Sequence, residues 1–180
     1  KMKKILLGFL LFTASCDSEP IAVDVLISGG SIHDGSGMNE YIGNVAIKND
    51  TIFYVGKKKN FIANQTIDAT GKVVSPGFIN MLSWGYNTLM QDGRSLSDLK
   101  QGVTLEVFGE GTSPGPRGSI GSNNYVSFGE AMEKLESSGV STNIASYLGA
   151  ATVRIQEIGY ANRKASSSEM ESMRNIVKLA

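Results

Sequence analysis

From Val74 onward the chain alternates apolar, strand-like runs with amphipathic segments of helical length, and this order restricts the folds open to it. "VVSPGFINML" is a nearly continuous apolar run, which fits a buried parallel strand better than one facing water on one side. "RSLSDLKQG" places Leu96 and Leu99 on one helical face and ends on Gly102. "VTLEVFGEG" reads as a second buried strand. "SFGEAMEKLESSG" opens with the capping box Ser127-x-x-Glu130, carries Phe128, Ala131, Met132 and Leu135 on one stripe and stops at Gly139. "TNIASYLGAATVR" is the third predicted strand, and "SSSEMESMRNIVKLA" starts a helix with Met170, Met173 and Val177 at helical spacing. Alternating strands and helices imply βαβ crossovers and a parallel sheet. Three such units stand here against the eight of a closed barrel of roughly 250 residues, so residues 75–180 read as the first three βα units of an incomplete TIM barrel.

The preceding segment, 22–74, has a different texture. In "VDVLISGGSIHDGSG", Val23, Val25 and Ile27 alternate with Asp24, Leu26 and Ser28. "NVAIKNDTIFYVG" is a predicted hairpin turning at Asn49-Asp50, and "QTIDATGKVV" offers a similar turn at Thr70-Gly71. Short strands with tight turns predict a small β-sandwich, giving an α/β chain overall with a β-rich domain ahead of the barrel part.

The first sixteen residues, "KMKKILLGFLLFTASC", pass from a cationic start through the apolar run Ile5 to Phe12 into small residues, the layout of an export signal. The stretch ends on Cys16, the chain's one cysteine, and resembles a bacterial lipoprotein signal in which that cysteine is lipidated. An ordinary signal cleaved nearby is the alternative; both predict export, to the periplasm or the outer surface, and the lipoprotein reading adds a membrane anchor on Cys16. Formal charge is zero, with 17 basic and 17 acidic residues, and loss of Lys1, Lys3 and Lys4 leaves 14 basic residues against 17 acidic ones. With no basic run in the remainder, nucleic acid is excluded as an expected partner.

Three stretches together, "VDVLISGGSIHDGSG", "GNVAIKNDTIFYVG" and "TIDATGKVVSPGFIN", look like the start of the amidohydrolase superfamily, where a β-sandwich leads into a metal-dependent (β/α)8 barrel. "LKQGVTLEVFGEGTSPGP" and the run from Asn143 to Ala180 are similar to its N-acyl-D-amino-acid deacylase (D-aminoacylase) branch. The resemblance implies hydrolysis of an amide bond in a small N-acyl amino acid by water activated on a divalent metal, expected to be one zinc ion. It also implies an Asp-x-His-x-His motif after Pro-Gly-Phe. Here Asn80 stands at the acidic position and Leu82 and Trp84 at the histidine positions, and neither of those two side chains can ligate a metal. Where the branch carries Gly-Asn-Cys-Gly, this chain reads Gly109-Glu110-Gly111-Thr112, which removes the thiolate and leaves Glu110 as the candidate metal ligand. Leu148 to Arg154 likewise lacks the histidine often found after the third strand.

Ser113 and Arg154 are candidates for binding a substrate carboxylate, and Trp84 for a core or pocket-wall aromatic. His33 has no partner ligands nearby in sequence and reads as a turn or surface residue. "GEGTSPGPRGSIGS" lacks the Lys-Ser/Thr of a phosphate-binding loop and reads as a mobile loop over a barrel mouth. The catalytic groups are expected beyond residue 180, so this piece alone is expected to be inactive. A binding module on a degenerate scaffold, displayed as a surface lipoprotein, is the competing expectation.

Overall fold

The computed structural model describes residues 19–57, 60–118 and 122–180. The signal-like segment 1–16 and Cys16 lie outside these residues. The chain divides into two compact units between Pro76 and Gly77.

In the first unit, β1 (Ile21–Ile32) is the central strand of a five-stranded sheet. β2 (Tyr41–Lys48) runs antiparallel to β1, and β3 (Thr51–Gly56) antiparallel to β2. The β2–β3 hairpin turns where the sequence places it, at Asn49-Asp50: Asn49 takes a left-handed backbone, φ 55°, and its N–H donates to Asp24 at 2.7 Å. The second expected hairpin is different. β4 (Phe61–Asp68) and β5 (Val73–Val74) flank the Thr70-Gly71 turn, yet each pairs in parallel with β1 rather than with the other. The described strands of this unit form one five-stranded sheet. The Thr70-Gly71 turn therefore interrupts the chain without reversing it, and β5 runs on in the direction of β4 along the same edge of β1, the other edge being taken by β2.

The Gly29-Gly30 pair marks a β-bulge, since the β1–β2 register slips by one residue between Ile27 and Gly30 and Gly29 has φ +74°. The Asn44 side chain, buried opposite it, accepts from the Gly29 N–H at 3.0 Å. Val23, Ile32, Val45, Ala46 and Ala69 are the buried apolar residues of this unit. His33 is exposed at the end of β1, as its sequence context predicts.

The second unit is built on three parallel strands in the order β6 (Phe78–Asn80), β7 (Val103–Phe108) and β8 (Asn143–Ser146). Two short helices, α1 (Tyr86–Leu89) and α2 (Leu96–Lys100), connect β6 to β7; α3 (Phe128–Ser137) precedes β8; α4 (Ala150–Ile158) and α5 (Ser167–Leu179) follow. The core joins Leu89, Phe108 and Leu135, with Tyr86, Met90, Val140 and Ile144 packed around them. The expected capping box of α3 is present in full.

Three expectations change here. The run "VVSPGFINML" is not one buried strand: it is split between β5 and β6, and Phe78 and Ile79 are exposed; among the described residues β6 pairs with β7 alone. The third strand is four residues long, and from Ala150 the chain is helical. The two alanines and the Arg-x-Gln-Glu pattern favour that helix, and it ends at Gly159, φ +63°. In α5 the buried residue is Ile176, with Met173 beside it, while Met170 and Val177 face water.

A capping box also closes the start of α5, between Ser166 and Glu169. Arg163, bonded to Glu169 at 2.6 and 2.8 Å, and then the Ser166 backbone N–H hold this carboxyl down at about 2, against 4.5 ordinarily. The folded value is the lower one, so the cap is complete above the ordinary value and is lost as pH falls from about 4.5 toward 2. The Ser166 amide resonance is expected to shift near pH 2, and at a higher pH in an Arg163→Ala protein, where the Ser166 bonds alone lower the carboxyl.

Candidate functional site

The carboxyl ends of the three parallel strands are stitched together by the loops that leave them. The Ser83 N–H donates to the Val107 carbonyl at 2.9 Å, Tyr147 N–H to Phe108 at 2.9 Å and Ala151 N–H to Gly111 at 2.9 Å. The Ser113 N–H adds a bond to the Thr152 hydroxyl at 2.7 Å. These bonds gather Trp84, Glu110, Thr112 and Ser113 at one end of the sheet, the end at which α/β barrels place their chemistry.

The residues at the histidine positions do not form a metal site. Leu82 and Trp84 are 53% and 65% exposed. Asn80 donates to Asp98 at 3.3 Å and accepts from the Leu82 N–H at 3.2 Å, so its side chain shapes the end of β6. The Glu110 carboxylate is exposed, with no hydrogen bond or ion pair among the described residues. No group of three His, Cys, Asp or Glu side chains able to hold a metal occurs among those residues. The described residues alone therefore do not make up the metal site that the resemblance implies.

Ser113 donates its hydroxyl to the Gly115 carbonyl, and Arg154, on α4 rather than a strand end, donates to the carbonyls of Ala161 at 3.0 Å and Arg163 at 2.7 Å. The Ser113 hydroxyl and one terminal nitrogen of Arg154 are thus occupied within the protein. Trp84 is a pocket wall, shared by cavities of about 130 and 420 Å3. The glycine-rich loop is tied down over its described part: Pro114, Gly115 and Pro116 are buried, and Arg117 pairs with Val126 through two backbone bonds of 2.9 Å.

One residue escaped the sequence reading altogether. Glu106, in the middle of β7, is 2% exposed and accepts from three hydroxyls: Ser83 at 2.7 Å, Ser95 at 2.6 Å and Thr142 at 2.9 Å. It links the loop after β6, the start of α2 and the entry to β8. A charge inside the apolar run "VTLEVF" was the available signal, because a buried carboxylate requires partners.

No family model matches the chain. In sequence, D-aminoacylase of Alcaligenes xylosoxydans xylosoxydans is 27% identical over 177 residues, 91% of this chain and 36% of that protein. In structure, a D-aminoacylase variant in complex with copper chloride superposes with a TM-score of 0.79 at 26% identity, over 87% of this chain and 36% of that one. The chain is similar to the D-aminoacylases of the amidohydrolase superfamily. A further D-aminoacylase structure, described for its binuclear metal centre with one-metal activation and second-metal attenuation, gives a TM-score of 0.78 at 26% identity, with the same coverage of 87% and 36%. The chain thus spans about a third of the length of these D-aminoacylases. The shared fold is mixed α/β.

Proposed function

We propose that the protein is an exported hydrolase of non-peptide amide bonds that takes a small N-acyl amino acid, and that residues 75–180 are the opening part of its (β/α)8 barrel, with 22–74 contributing to a β-sandwich. The likeness to D-aminoacylase along about nine-tenths of the chain carries this reading. Order of elements supports it too: β6, β7 and β8 are parallel neighbours in chain order, as consecutive strands of such a barrel are.

Within this reading, the chain's own residues bind and shape rather than react. Trp84 and the loop from Gly109 to Arg117 wall a pocket at the strand ends, and Glu106 holds the loop that carries Trp84 through Ser83. A divalent ion, proposed as one zinc, would need its ligands from outside the described residues, with Glu110 the one carboxylate here offered to it; no step of the reaction is assigned to these residues. Export as a lipoprotein anchored through Cys16 completes the proposal.

The test is release of free amino acid from a panel of N-acyl-D- and N-acyl-L-amino acids by the whole protein, with bound metal measured by elemental analysis. Turnover is expected, together with about one metal equivalent. Replacing Glu110 by alanine is expected to lower turnover at least tenfold while leaving stability within about 0.5 kcal/mol, since the side chain is exposed and unbonded among the described residues. A folded protein that releases nothing across the panel overturns the hydrolase reading and leaves binding alone as the role.

A further inference from the structure

We infer that the cavity of about 130 Å3 between the loops after β6 and β7 is a carboxylate-binding pocket, with Arg117 as the residue that recognises the anion. The proposal rests on the reading above only for naming an N-acyl amino acid as the ligand.

Arg117 stands apart from the other arginines. Arg94, Arg163 and Arg174 pair with Asp92, Glu169 and Glu171 at 2.7, 2.6 and 3.2 Å, and one terminal nitrogen of Arg154 donates to two carbonyls. For the Arg117 guanidinium no carboxylate or carbonyl partner occurs among the described residues. It is nonetheless positioned: its backbone is pinned to Val126 from both sides, and its guanidinium carbon lies 4.9 Å from the centre of the Tyr86 ring. Stacking on an aromatic face leaves the edge of the guanidinium, with its paired N–H donors, open to an anion.

Charge is segregated around this pocket. Its wall includes Trp84, Tyr86, Asn87, Thr112 and Arg117 and no acidic residue, whereas Asp92, Asp98 and Glu106 line the neighbouring cavity of about 420 Å3. The hydroxyls of Ser83 and Ser113 are already spent on Glu106 and on the Gly115 carbonyl. The Thr112 hydroxyl and the Asn87 amide have no such bond among the described residues and can donate beside the guanidinium. A volume of 130 Å3, about four waters, holds a carboxylate and the few carbons next to it. Trp84 and Tyr86 supply apolar contact for those carbons.

Calorimetric titration of the whole protein with N-acetyl-D-leucine and with its primary amide tests this. The acid is expected to bind roughly ten- to hundredfold more tightly than the amide, and Arg117→Gln is expected to erase that preference while leaving affinity for the amide unchanged. Equal affinity of the wild-type protein for acid and amide, or a preference that survives Arg117→Gln, overturns the proposal. Should Arg117→Gln fail to fold, Arg117→Lys decides: a preference reduced about threefold or more, as a point charge replaces a planar fork, supports the pocket, and an unchanged preference overturns it. With bound metal first removed by chelation, the titration reads binding without turnover, so failure of the hydrolase reading leaves this result standing. Turnover of acid and amide alike would keep the hydrolase and remove the pocket.

Discussion

Replacing Glu106 by alanine is expected to lower stability by about 3–5 kcal/mol, because it strands three hydroxyl groups at once. Thr142 is itself buried, and Ser83 and Ser95 are partly so, and water cannot replace the lost acceptor without opening the junction between β6, α2 and β8. Glu106→Gln keeps the volume and one carbonyl acceptor, and rotation of the hydroxyls can satisfy the new N–H, so about 1–2 kcal/mol is expected there. Chemical denaturation of the two variants checks the account. Near-equal losses would mean that the charge, rather than the hydroxyl count, holds the junction. A loss under about 1 kcal/mol in the alanine protein would show that the junction is packed without it.

Gly109→Ala is the second large effect, expected at about 3–5 kcal/mol. Gly109 ends β7 with φ +94°, a backbone in which a side chain is strained, and a Cβ placed there would lie 2.0 Å from the Tyr147 carbonyl oxygen. That oxygen belongs to the backbone that follows β8, so relief requires the loops after β7 and β8 to separate. The bond from the Tyr147 N–H to Phe108 would stretch or break with them. A matched control has the opposite sign. Gly129 lies in α3 with open space around its Cα, and Gly129→Ala is expected to stabilise by about 0.5–1 kcal/mol. Denaturation midpoints of both proteins, read with their m-values, separate backbone strain from helix propensity. If Gly109→Ala unfolds at the wild-type midpoint, the two loops are free to part.

Much of the local architecture could be read without coordinates. The Asn49-Asp50 hairpin, the capped α3 with its Gly139 stop, α2 with Gly102 behind it and the parallel strands around them follow from turn chemistry, capping and hydrophobic period, each a property of a few neighbouring residues. Apolar runs were harder. "TNIASYLGAATVR" holds a strand and most of a helix, since a short apolar stretch satisfies either until its length and neighbours are known.

The sequence by itself also determined that Leu82 and Trp84 bring no metal ligand to the end of β6, because no packing makes an alkyl or indole side chain coordinate an ion. Only the tertiary structure decided that β4 and β5 both join β1, that Glu106 collects hydroxyls from three separate segments and that Arg117 meets Tyr86 across an interval of thirty-one positions. Those are pairings between distant parts of the chain. Each depends on which edge is open and which donor already has a partner, and neither is fixed until the strands have found their neighbours.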